Sequence, residues 1–269
     1  GCSKNFTLEK DKCISEFQEG PRNISLRYYL NGEASEISFV VYGPVYDYFA
    51  NLSREMSSNN LIYSRDMKLE IINNSFQKSF LIPLVVKIQN MASSREKQVK
   101  IATSIVQNIK YEPSNRTFEF FNREVPYSRY PYEVLYEKKG ICGEKSDLLV
   151  FLLREIGYET VIFRFAEENH EAVGIKCPEE YGYKNTSYCF IETTGPSIIS
   201  SSNNNYAVVG KISSSPKIIN ISSGDSFEKI SVLKDAEDWD NIQEAISKNG
   251  GLNFFQEKKL EKLREKYNL

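Results

Sequence analysis

The chain has 269 residues, 34 Lys+Arg, 36 Asp+Glu and a net charge of −2, and it is 41% hydrophobic. That is globular composition for one large domain or two small ones, without the basic excess of a nucleic-acid binder. No apolar run reaches the ~18 residues of a membrane span, and a single His excludes chemistry that needs two imidazoles.

Residues 1–22 are polar and read as a leader or tether. The start, Gly1-Cys2-Ser3, reads as a trimmed product. A small residue followed by Cys resembles the end of a lipoprotein signal, which would put a lipid membrane tether on Cys2; a cloning remnant reads the same way. Residues 24–49 hold two apolar-aromatic runs around Asn31-Gly32, a hairpin signal, while Tyr46, Phe49 and Leu52 suggest a helix opening near 45. Apolar runs continue through 60–88. Residues 23–90 thus form an N-terminal accessory segment of mixed helix and strand.

Ser93 with Glu96 makes a capping box, and Val99, Ala102, Ile105, Val106 and Ile109 form an apolar stripe, so an amphipathic helix is expected over 94–110. Residues 111–130 read as loop. A second helix follows Gly140-Ile141-Cys142-Gly143, apolar around much of its girth through Leu148, Leu149, Phe151, Leu152, Leu153 and Ile156, and stopped by Gly157. It should be central and buried. Its first turn, Glu144-Lys145-Ser146-Asp147, reads as solvated. Strands are expected at Glu159–Ala166, His170–Cys177, Tyr188–Thr194, Tyr206–Ile212 and Lys217–Ile221, in an antiparallel sheet. Charged helices at 235–248 and 253–268 complete a C-terminal extension over 223–269. The order gives an α+β fold.

The chemistry gathers at Cys142. A helix start offers unpaired N–H groups and partial positive charge, which favour a thiolate and can receive an oxyanion. Gly143, without a side chain, lets a substrate approach. If the next two strands pair so that His170 opposes Glu192, the carboxylate orients the imidazole and the imidazole takes the Cys142 proton. Gln107 and Tyr132 are candidate oxyanion or substrate contacts, with core and surface roles competing. In that same register Cys177 opposes Asn185 and Cys189 opposes Val173, so a Cys177–Cys189 bridge needs the strand to end early.

Five Cys leave one unpaired; Cys2–Cys13 and Cys177–Cys189 are thinkable pairs, and full reduction is the alternative. Sequons at Asn5, Asn23, Asn51, Asn73, Asn115, Asn185 and Asn220 point to glycosylation and an extracellular location. The acids Asp235, Glu237, Asp238 and Asp240 lack calcium-loop spacing, and Cys142, His170 and Glu192 lack a fourth zinc ligand, so no metal or cofactor is expected.

The stretch YPYEVLYEKKGICGEKSDLLVFLLREIGYE, then ENHEAVGIKCP, then YCFIETTGPSII resembles the transglutaminase-like superfamily, and looks like its uncharacterised cell-surface members in archaea. The likeness is strongest over 95–222. It implies a papain-like core at 91–222 in which a Cys-bearing helix packs on an antiparallel sheet carrying His and an acid. It implies Cys142 as nucleophile, His170 as base and Glu192 as third member. Glu192-Thr193-Thr194 departs from the usual Asp. The expected activity is a peptidase, amidase or acyl transferase on peptide or cell-envelope amides at the cell surface, with a binding or structural module that has lost turnover as the rival. Oligomeric state stays open.

Overall fold

The computed structural model describes residues 8–9, 12–52, 65–120, 123–201, 205–206 and 209–269. The Cys2–Cys13 pair, the Cys2 lipid and the Asn5 sequon involve residues outside these.

After a two-residue strand pair, Leu8–Glu9 with Lys12–Cys13, and a short helix, Ile14–Phe17, the chain forms a hairpin, β1 (Pro21–Leu30) with β2 (Glu33–Tyr42), turned by Asn31 and Gly32 at φ 55 and 88. Positive φ at both turn positions matches the strand twist, which is why Asn-Gly sits there. Inward residues of the hairpin, such as Leu26, Phe39 and Val41, are buried. Helix α1 (Gly43–Ala50) follows directly, with Pro44 in its first turn. Phe17, within the stretch read as a leader, is buried and packs edge-on against Tyr48 and Phe76. The apolar runs of 60–88 contain helices α2 (Arg65–Asn73) and α3 (Ser75–Met91).

Helix α4 (Arg95–Gln107) is the expected amphipathic helix, but Ser94 caps it, not Ser93. The Ser94 hydroxyl accepts from Lys97 N–H, so Glu96 stands one place too early to close a capping box. The 111–130 stretch is not all loop: it holds the two-residue strand β3 (Lys110–Tyr111) and a small hairpin, Thr117–Phe120 with Arg123–Pro126. Helix α5 (Pro131–Glu137) leads into β4 (Lys139–Gly140), which pairs in parallel with β3.

Helix α6 (Cys142–Ile156) runs through the centre, and every side chain from Glu144 to Leu153 is buried. Gly157 ends it at φ 110, a backbone angle that costs Gly little. Truncating Leu148, Leu149 or Leu152, all fully buried, would cost about 2–5 kcal/mol each.

One face of α6 packs on a four-stranded antiparallel sheet of order β7-β6-β5-β8, where β5 is Thr160–Phe165, β6 His170–Lys176, β7 Tyr188–Ile191 and β8 Lys217–Ser222. The expected strand at 206–212 is instead a separate pair, Asn205–Tyr206 with Gly210–Lys211. The register between β6 and β7 also differs from expectation. Val173 pairs with Ile191, where the expected register set it against Cys189. The shift makes Cys177, whose N–H bonds Ser187 O, a diagonal neighbour of Cys189, and the two form a disulfide at a Cα separation of 5.7 Å. Helices α7 (Ile230–Asn249) and α8 (Phe254–Tyr267) close the chain around Gly250. The main core is continuous, from Ile24 of the hairpin through α6 to Leu263 of α8. Among the described residues no helix is long and apolar enough to cross a membrane.

Candidate active site

The site forms where the N-terminus of α6 meets the start of β6 and the end of β7. Cys142 is the first residue of α6 and is half-buried. Its own N–H and that of Gly143 belong to the first turn, which has no intrahelical acceptors. His170 opens β6, 2% exposed, with its ring stacked on Phe165 at 6.1 Å. Strand β7 stops at Ile191, so Glu192 stands just past it, in the loop rather than in the pairing register.

The shifted register still brings the acid to the histidine. His170 Nε2 and Glu192 Oε2 are 2.9 Å apart. Glu192 Oε1 accepts three bonds: Thr193 N–H at 2.9 Å, Thr194 N–H at 2.9 Å and the Thr194 hydroxyl at 2.8 Å. Burial would raise the Glu192 carboxyl; the His170 and Thr194 bonds outweigh it and hold the group below its ordinary range. For His170, burial pushes down, while hydrogen bonds to Cys142 and Glu192, with their charges, lift the imidazole to about 9. With Nε2 taken by Glu192, Nδ1 remains for the thiol. Thr193 ties the acid loop to the helix: its hydroxyl meets Ser146 Oγ at 3.2 Å and donates to Cys142 O at 3.4 Å.

Glu144-Lys145-Ser146-Asp147 is not solvated; all four are buried. Each has a partner that is distant in sequence. Glu144 accepts from Ile141 N–H, Arg129 N–H and the Arg129 guanidinium. Lys145 Nζ donates to Ile109 O at 2.6 Å and to the carbonyls of Gln107 and Thr194 at 3.4 Å. Burial pushes it down to about 8, against the pull of Glu192. Asp147 receives Lys68 Nζ at 2.7 Å, and the same ammonium lies 2.8 Å from Glu171 Oε2. Burial would strip the Lys68 proton, but the Asp147 and Glu171 carboxylates overcome it and keep the ammonium charged.

Three of the expected contacts take other roles. The open side of Gly143 faces Glu171, whose Oε2 would lie 3.1 Å from an added Cβ, so that space is already filled from within. Gln107 commits its amide nitrogen to Glu192 O at 2.9 Å and Ser197 O at 3.1 Å, supporting the acid loop rather than offering an oxyanion donor. Tyr132 is fully buried near Phe49 and Phe80, and its hydroxyl is bonded to the Tyr42 backbone. Sequence reasoning missed Tyr111. It pairs with Gly140, is 38% exposed, and its phenol is raised by burial and by the charges of Cys142, Glu144 and Glu192 around it. An aromatic at a strand end beside the Gly-Ile-Cys turn was the one available signal.

No curated protein matches the chain. A family model described as the transglutaminase-like superfamily matches residues 83–193, a span that runs from α3 through α4 and α6 to the Glu192 loop. Residues 83–193 therefore carry the match to the transglutaminase-like superfamily, and the helices on an antiparallel sheet described above are compatible with that superfamily's α+β core.

Proposed function

We propose that the chain is a cysteine-nucleophile amide-bond enzyme in which Cys142 attacks, His170 moves the proton and Glu192 orients the imidazole. The observation that carries this reading is His170 held between the buried Glu192 carboxylate and the half-buried Cys142 at a helix start. The thiol proton passes to His170 Nδ1 and the sulfur adds to an amide carbonyl. The oxyanion is received by first-turn N–H groups, that of Cys142 first. When the C–N bond breaks, the imidazolium gives its proton to the leaving amine, and a thioester remains on Cys142. Water or a second amine, deprotonated by His170, then releases the acyl group and restores the thiol. Water makes the enzyme a peptidase or amidase; an amine makes it an acyl transferase.

A cell-surface or extracellular setting is supported by the Cys177–Cys189 bridge, which persists in oxidising compartments, and by the exposure of Asn23, Asn51, Asn73, Asn115, Asn185 and Asn220. In that setting peptides and cell-envelope amides are the expected substrates. The test is to incubate the protein with a glutamine-containing peptide library, with and without hydroxylamine. Acyl hydroxamates or cleaved products that vanish in Cys142→Ser support the reading. Products that persist in Cys142→Ser, or a surface role intact in it with no turnover in the wild type, would favour a module that has lost catalysis.

A further inference from the structure

Gln107 belongs to two sites. Its amide holds the Glu192 and Ser197 carbonyls, and with Ser197 it also lines a pocket of about 30 Å³. The other walls come from Asn31 of the hairpin turn, Lys100 and Thr103 of α4, and Lys266 of α8. A water needs about 10–15 Å³, so the space admits about two waters or one small oxyanion group.

The walls carry unbalanced positive charge. Two ammonium groups line the pocket, and no carboxylate does. Asp235 lies close by, but it is engaged by Lys266 and by the Tyr267 hydroxyl at 2.6 Å. Lys100 Nζ donates to a neutral acceptor, Asn31 Oδ1 at 2.6 Å, faces the Tyr267 ring at 5.8 Å, and has no carboxylate partner among the described residues. Burial pushes Lys100 down to about 8; Lys266, Lys229 and Lys97 push the same way, and Asp235 opposes them. Thr103 in the wall adds a buried hydroxyl that has no hydrogen-bond partner among the described residues. Lys100 is half-buried, and a partly desolvated cation among like charges gains when an anion joins it.

We propose that this pocket binds a phosphate-class oxyanion between Lys100 and Lys266. The group has the size the cavity admits, and its negative charge would meet the Lys100 ammonium, which has no carboxylate partner among the described residues, beside Lys266, which keeps Asp235. Because Gln107 lines the pocket and grips the backbone of Glu192, an occupied pocket acts on the acid loop. The binding itself stands apart from the thiol chemistry; only this second effect rests on the proposed roles of Cys142, His170 and Glu192.

The experiment titrates the full chain by calorimetry at pH 7 and constant ionic strength with inorganic phosphate and, separately, with glycerol 3-phosphate. Saturable binding is expected, weakened about tenfold or more in Lys100→Gln and unchanged in Cys142→Ser. Tighter phosphate points to the free ion, and tighter glycerol 3-phosphate to the phosphoryl group of a larger molecule. Lys100→Gln is preferred to a change at Lys266, which also ties Asp235 to α8. No saturation with either probe, or equal binding in Lys100→Gln, would overturn the proposal. Saturating probe should also change the alkylation rate of Cys142 in the wild type and not in Lys100→Gln; an unchanged wild-type rate would refute the link through Gln107.

Discussion

His170 Nε2 and Glu192 Oε2 lie 2.9 Å apart with both side chains 2% exposed, while the other Glu192 oxygen is held by Thr193 and Thr194. The carboxylate is thus fixed at both ends, and the imidazole inherits a fixed orientation. Glu192→Gln keeps the shape and removes the charge. Alkylation of Cys142 by iodoacetamide at pH 7 should slow about tenfold or more, since each pKa unit of lost charge support is a tenfold change. Glu192→Asp, one methylene shorter, cannot reach both His170 and the threonine N–H groups and should fall between the two. Equal rates in all three proteins would remove Glu192 from the site.

The same contact makes stability depend on pH. His170 sits at about 9 in the folded protein against 6.5 unfolded. A raised basic group stabilises the fold fully below pH 6.5 and loses that contribution as pH rises through 9, an effect of order 3 kcal/mol. The difference in urea-unfolding free energy between wild type and His170→Gln should therefore shrink between about pH 6 and about pH 9.5. Lys145, lowered to about 8, works in the opposite sense, with its cost full below pH 8 and relieved as pH rises through 10.5. It is present in both proteins and cancels in the difference.

Beneath the site, Lys68 serves two carboxylates, Asp147 and Glu171, the second of which also has Arg164 Nε at 3.9 Å. Lys68→Ala should cost about 3–5 kcal/mol by leaving Asp147 buried without a cation and Glu171 with Arg164 alone. Gly143→Ala would press its Cβ to 3.1 Å from Glu171 Oε2 and should cost about 1–3 kcal/mol. Urea unfolding measures both, and a change within about 0.5 kcal/mol for Lys68→Ala would contradict the charge balance described.

The Cys177–Cys189 bridge closes a short loop, at a sequence separation of 12, between β6 and β7. The double Cys→Ser variant should lose about 3 kcal/mol. Under non-reducing conditions, peptide mass spectrometry should find Cys142 alkylated and Cys177 and Cys189 unlabelled.

What the sequence disclosed follows from the range of the forces involved. The Cys142–Ile156 helix is legible because its apolar girth and Gly157 are local. His170 and Glu192 are legible from their places at the start of one strand and just past the end of the next, even with the register misread and Glu192 in the loop. Glu144-Lys145-Ser146-Asp147 is misread because charges are buried only when partners come from afar, as Lys68 does from 79 residues away. Ser93 and Ser94 compete for one cap, and only the helix geometry decides between them. Tyr111 stays hidden because a two-residue pairing with Gly140 carries no periodic signal.

The most direct test of the Cys142–His170 pair is the pH profile of Cys142 alkylation, read by peptide mass spectrometry in the wild type and in His170→Ala. The account predicts fast labelling at pH 6 in the wild type, where His170 is protonated beside the sulfur, and labelling that is about tenfold slower or more in the variant. Identical profiles, or labelling of Cys142 only after unfolding, would contradict it.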